Sequence, residues 1–199
     1  MFNYPGSIEK LIANLTKLPG IGRRSAERII FYILKAPREQ AQALSTSITE
    51  VKDKIGLCKV CNNLSEQEIC NICQDLKRDK SVICVVEEPK NVISVENSSS
   101  FHGLYHVLLG SIAPLEGRGP GDLKIDGLLA RIRQNNIKEV IIATDADTEG
   151  ETTALYLSKV IKPLGVKLTR IGLGIPMGAN LEYMDASTLS KALESRRDL

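Results

Sequence analysis

The sequence has no apolar run near the roughly 18 residues that cross a bilayer, so no transmembrane helix is expected. The N-terminal MFNYPGSIEK lacks the basic and then apolar layout of a secretion signal, which makes the cytoplasm the expected location. An excess of charge of one sign is also missing. The 26 Lys and Arg stand against 24 Asp and Glu, and the net charge of +2 is too small for a protein that coats DNA. No repeat is present, and the one low-complexity run, three serines at 98–100, reads as loop. What is there is 43% apolar and 25% charged, the mix of a folded chain, and 199 residues hold one ordinary domain or two to three small modules.

The small net charge is unevenly spread. Residues 1–57 carry nine Lys and Arg against five Asp and Glu, and the remainder is mildly acidic, which suits a nucleic-acid contact confined to the N-terminal part. That part reads as helical. Ser7 is placed to cap a helix bearing Ile8, Leu11, Ile12 and Leu15 at helical spacing, and LPGIG interrupts it. The spacing resumes through Ala26, Ile29, Ile30, Ile33 and Leu34, stops at Pro37, and returns through Ala41, Leu44, Ile48, Val51 and Ile55. From residue 81 the pattern changes to strands alternating with helices. SVICVV, YHVLL, EVIIAT and VKLTRIG read as strands, and Pro89 is placed to open the helix after the first. DLKIDGLLARIRQ and ETTALYLSKVI read as helices, so a parallel sheet covered by helices is expected.

Three constellations carry chemistry. In LPGIGRRSAERI two glycines permit a tight turn that leaves the first amides of the next helix free to face a phosphate, with Lys17, Arg23, Arg24 and Arg28 supplying positive charge. Arg24 and Arg28 lie one helical turn apart and share a face. Cys58, Cys61, Cys70 and Cys73 form two C-x2-C pairs, the ligand set of a closed tetrahedral zinc site, which is structural because no position is left for water. Cys84, inside a strand, reads as a small core residue. Glu87, Asp145 and Asp147 follow two buried strands, where parallel sheets gather their sites, and three carboxylates can hold Mg2+ with its waters. Solvated acidic loops would show the same residues. His102 and His106 fall in strand and loop, and structural hydrogen bonding is expected of them.

In this order the three constellations resemble the RecR family of bacterial recombination mediators. FHGLYHVLLGSIAPLEGRGPGDL (101–123) is similar to the family's stretch linking the early strands of its Toprim domain, and GIPMGANLEYMDASTLSKALESRR (174–197) to its C-terminal signature. The resemblance implies a multi-module α/β chain. It would hold a helix-hairpin-helix domain at 1–55, a zinc finger at 56–78, a Toprim-type parallel sheet domain at 79–173 and a C-terminal oligomerisation segment at 174–199. Within the acidic motif Asp145-Ala146 replaces the family's usual Asn-Pro, so the D-x-D of catalytic Toprim proteins is kept; Asn91 stands where an aspartate is usual, and Gly172-Leu173 replaces a more polar pair.

By resemblance the chain has no catalytic activity of its own. It binds single-stranded, duplex and gapped DNA without reading sequence, works with RecO and in many bacteria RecF to load RecA, and forms a ring-like homotetramer near the nucleoid. The competing class is a Toprim-type metal-dependent nuclease or primase-like enzyme. A topoisomerase would need an attacking tyrosine, and none of Tyr4, Tyr32, Tyr105, Tyr156 and Tyr183 has such a setting. Glu182, Tyr183 and Asp185 read as interface residues, because no phosphate-cradling glycine loop with a lysine precedes them.

Overall fold

A computed structural model describes residues 4–196. The chain divides after Ile55 into two compact units. The first is three helices, α1 (Gly6–Leu15), α2 (Arg23–Lys35) and α3 (Arg38–Lys54). Its core is small: Ile12 of α1 meets Ala26 and Ile30 of α2, with Ile8, Leu15 and Ile21 around them. Pro5 holds the cap position of α1 and no side chain caps it, so Ser7 is not the cap; the helix starts one residue before it. α3 buries no residue at all, although its apolar residues keep helical spacing.

The second unit begins with a two-stranded antiparallel ribbon, β1 (Gly56–Leu57) and β2 (Leu64–Ser65), and a single helical turn, α4 (Asn71–Gln74). Then come β3 (Asp79–Val86), α5 (Pro89–Asn97), β4 (Gly103–Val107), α6 (Ile125–Gln134), β5 (Glu139–Ile142), α7 (Thr148–Ile161), β6 (Lys167–Arg170) and α8 (Ala186–Glu194). The four longer strands form one parallel sheet in the order β4-β3-β5-β6. Side chains alternate across β3, so Ile83 and Val85 enter the core made with Leu128 and Ile132 of α6 and Leu157 and Ile161 of α7. Cys84 and Val86 enter the opposite core with Val92 of α5 and Tyr105 and Val107 of β4. A strand covered on both faces has no polar position to spare, which is why SVICVV reads as an unbroken apolar run.

Several expected boundaries shift: β5 ends at Ile142 and β6 is confined to Lys167–Arg170, both shorter than EVIIAT and VKLTRIG, and α7 starts at Thr148, three residues before ETTALYLSKVI. The strand in YHVLL ends at Val107, because Leu109 takes a left-handed backbone with φ 64° and turns the chain away. The helix in DLKIDGLLARIRQ starts at Ile125, and the buried Leu123 precedes it in a short turn. Pro89 opens α5 as the sequence suggests; the cap before it is Glu88, whose backbone N–H donates to the Asn91 side chain.

Candidate metal centre, acidic crevice and nucleic-acid interface

The turn between α1 and α2 is tight because Gly20 adopts φ 79°, a conformation that glycine takes without strain. Gly22 occupies the cap position of α2 and has no side chain, so no hydrogen bond covers the first amides of that helix. An uncapped helix start offers N–H donors and the positive end of the helix dipole to an anion. The four expected cations divide at this point. Arg23 donates to Glu9 at 3.0 Å and reaches Glu27 at 3.2 Å, so its charge is already paired. Lys17, Arg24 and Arg28 are exposed, and among the described residues none of them forms an ion pair. Lys17 donates only to Asn14, at 3.4 Å.

The Sγ atoms of Cys58, Cys61, Cys70 and Cys73 all lie within 4.8 Å of one another, and among the described residues this is the one such gathering of metal-ligating atoms. Cys58, Cys61 and Cys70 are buried. Local backbone geometry makes the site: Asn62 takes φ 60° between the Cys58 carbonyl, which accepts its N–H at 2.9 Å, and Asn63, whose carbonyl accepts the Cys58 N–H at 2.8 Å. The Cys70 N–H donates to the Cys58 sulfur at 3.3 Å, an arrangement that favours thiolate. The sulfurs perturb each other strongly. Hydrogen bonds, that of Cys73 first, hold Cys61 at about 5, while burial lifts Cys70 to about 11. Four sulfurs at this spacing, three of them on buried cysteines and the fourth on the partly buried Cys73, fit Zn2+, which needs all four as thiolates and leaves no open position.

The zinc module is stitched to the edge of the sheet. The Val107 N–H of β4 donates to the Cys61 carbonyl at 2.8 Å, and Asn62 Nδ2 donates to the Val107 carbonyl at 3.1 Å. At its other end Arg78 pairs with Glu96 of α5, to which the Tyr105 hydroxyl also donates. These contacts cover an edge strand that would otherwise present unpaired backbone groups. His106 has the structural role expected of it: it is 1% exposed, and its ring faces the Lys124 carbonyl at 2.8 Å and Arg131 at 3.2 Å. Burial first, then the Arg131 charge, lowers its pKa to about 4. His102 is exposed.

Glu87 and Asp145 follow β3 and β5, the neighbouring strands from which the chain runs off to opposite sides of the sheet, and a ligand crevice lies at such a divide. The structure brings these two together: Glu87 Oε1 accepts the Asp145 N–H at 3.2 Å. Asn91 Nδ2 reaches Asp145 Oδ1 at 3.5 Å. Asp147 is engaged elsewhere, as the cap of α7, where its Oδ1 accepts the Gly150 N–H at 2.7 Å. Gly150 is required there, because a Cβ would lie 2.1 Å from the Asp145 carbonyl oxygen. Glu87 is buried, and desolvation first, then the charges of Asp145 and Asp147, raise its pKa to about 7.

The other acidic residues of α7 are not free. Glu149 accepts from Ser111 at 2.9 Å and lies 3.4 Å from Arg118, and Glu151 accepts from Arg170 at 2.7 Å. Sequence reasoning missed Arg118, Arg170 and Arg131: Arg170 and Arg131 meet their partners from a remote part of the chain, and Arg118, though inside the 101–123 stretch, reaches Glu149 31 residues on.

Comparison with known proteins agrees with each module. Residues 8–52 match the RecR helix-hairpin-helix family, 55–75 the RecR four-cysteine zinc finger domain, 81–172 the Toprim domain and 174–197 the RecR C-terminal family. Recombination protein RecR of Acidothermus cellulolyticus is 51% identical over 196 residues, covering 98% of both chains. That of Syntrophotalea carbinolica is 50% identical over the full length of both, and that of Desulforudis audaxviator 47% identical over 98% of this chain and 99% of its own. A helical hairpin, a four-cysteine zinc site and a Toprim sheet, joined in this order and matched end to end, place the chain in the RecR family of recombination proteins.

Proposed function

We propose that this chain is a recombination mediator in DNA repair without bond chemistry of its own. It acts with RecO, and with RecF, to load the strand-exchange protein RecA onto single-stranded gaps covered by single-strand-binding protein. The observation that carries the reading is the uncapped start of α2 beside the exposed, unpaired Arg24 and Arg28. Contacts from such a turn reach phosphates and leave base edges unread, so binding is independent of sequence. One hairpin neutralises few phosphates and holds DNA weakly, whereas several hairpins on one assembly add through effective concentration.

A ring-shaped homotetramer that encloses DNA supplies that assembly. Apolar residues left in water support it: Leu44, Ile48 and Val51 on α3, and Leu181, Tyr183 and Leu193 near the C-terminus, are all exposed. At the crevice, Glu87, Asp145 and Asp147 are read as a docking point for a basic surface of RecO, with or without Mg2+. RecA filament formation on gapped DNA coated with single-strand-binding protein tests the reading. RecO with this protein should restore loading, and Asp147→Asn should weaken RecO binding without changing the assembly. Strand cleavage that needs Mg2+ or Mn2+ and disappears in Asp147→Asn would assign a Toprim nuclease instead.

A further inference from the structure

We infer that Arg131 of α6 is the counter-charge of the four-cysteine centre, so that the Toprim sheet domain, and not the cysteine loop alone, sets how firmly the metal is held. The inference rests on the zinc reading of the cysteines and concerns a residue outside the zinc module. Arg131 Nη1 donates to the Tyr105 carbonyl at 2.7 Å and to His106 Nδ1 at 3.2 Å. Guanidinium only donates, so His106 carries its proton on Nε2, facing the Lys124 carbonyl 2.8 Å away. The imidazole is therefore neutral and fixed in one tautomer, and its Nδ1 lone pair holds the guanidinium in place.

The cysteine loop reaches the same stretch of β4 and meets Arg131 at His106. Cys61 and Asn62 bond the two backbone groups of Val107, and Asn62 Nδ2 stands 3.5 Å from the His106 ring. Val60, next to Cys61, lines one cleft of about 520 Å3 together with Arg131. Among the described residues Arg131 forms no ion pair, although it is partly buried and its other partners, a carbonyl and a neutral imidazole, carry no charge. A partly buried cation without a carboxylate calls for another anion. Burial lowers the Arg131 pKa, and what opposes that is the charge of Cys73, Cys61, Cys58 and Cys70. Four thiolates around one divalent ion carry a net charge of −2; of the module's own cations Lys59 pairs with Glu68 and Arg78 with Glu96 and Asp75, and Lys77 stands exposed in water, whereas Arg131 is partly buried. Arg131 and the thiolate centre are each the charge that the other lacks.

The test uses the full chain loaded with zinc, and the same proteins loaded with Co2+. Arg131→Gln keeps a donor for the Tyr105 carbonyl and removes the charge; Arg131→Lys keeps the charge and removes the fork. Zinc transfer to a chromogenic chelator should be ~10-fold faster or more in Arg131→Gln, the scale of losing an outer-shell partner. Arg131→Lys should restore most of the difference. In the Co2+ proteins, loss of the nearby positive charge should move the thiolate-to-cobalt charge-transfer band to lower energy, and lysine should return it. An Arg131→Gln protein that folds and keeps both the wild-type release rate and the wild-type band overturns the inference. If Arg131→Gln does not fold, Arg131→Lys decides: zinc loss tenfold faster than wild type with the charge still present overturns it, and near-wild-type retention upholds it. Arg133→Gln, exposed on the same helix, is the control and should change neither readout.

Discussion

At the scale of single residues, two buried groups oppose each other across mildly acid pH. Glu87 has an ordinary pKa of 4.5, raised to about 7 in the fold chiefly by burial. The native state therefore holds a proton that the unfolded chain releases between these values, and stability falls as pH rises through that window, by ~3 kcal/mol at most. His106 has an ordinary pKa of 6.5, lowered to about 4 by burial, so the unfolded chain binds the proton first and stability falls as pH drops from 6.5 to 4. The two contributions nearly cancel between pH 4.5 and 6.5. Glu87→Gln removes one of them and keeps an acceptor for the Asp145 N–H. In magnesium-free buffer the variant should be more stable than wild type at pH 8, equal to it near pH 4, and should show the full acid-side decline of His106. Urea unfolding at four pH values reads this out; a variant less stable than wild type at pH 8 would show that the ionised carboxylate is welcome in the crevice. The cysteines could be read from spacing alone because both pairs are local. The raised Glu87 could not, since its burial is made by Asp145 and by a close approach of Gly150, more than fifty residues away.

At the scale of elements, α2 and the zinc module make separate predictions. Changing both Arg24 and Arg28 to alanine should remove the phosphate contacts proposed for α2 without touching the Ile12, Ala26 and Ile30 core. Affinity for unrelated DNA sequences should fall alike, and the slope of log K against log salt should flatten by about 0.7 to 0.9 per lost contact in each engaged protomer. Unchanged affinity and slope in a fluorescence titration would make this motif only a turn. Arg23→Ala should lower affinity less, because Glu9 and Glu27 already neutralise that side chain. Cys58→Ser or Cys70→Ser should remove the metal and lower the thermal midpoint of the second unit steeply, as a site that is part of the fold carries folding free energy. The loss should extend to β4, whose Val107 is bonded by the cysteine loop, and hydrogen exchange at the Val107 amide would show it. Helices were legible because a period of 3.6 is written into local sequence, and the buried strands because short β-branched apolar runs mark strands covered on both faces. The docking of the zinc module on β4 was not: it depends on a left-handed Asn62 and on hydrogen bonds to residues some 45 positions away, which leave no periodic trace.

At the scale of the whole molecule, the question is what covers α3. This helix keeps its apolar spacing over 17 residues yet buries none of them, and Leu44, Ile48 and Val51 are 52%, 61% and 62% exposed. An amphipathic helix whose apolar stripe stays in water gains little from folding, since most helix stability comes from packing that face. In the tetramer proposed above the stripe is covered by a second copy of the chain. Leu44→Glu with Ile48→Glu places two charges on that face while leaving the protomer's own core unchanged. Light scattering should then give a mass below that of the wild-type assembly, with full zinc content and unchanged helicity. Because each hairpin alone holds DNA weakly, the same variant should lose DNA affinity although Arg24 and Arg28 are intact, and its salt slope should flatten toward that of one hairpin. An unchanged mass places the protomer contact elsewhere. A reduced mass with full DNA affinity and full salt slope would instead show that a single hairpin suffices, and the clamp would lose its physical reason.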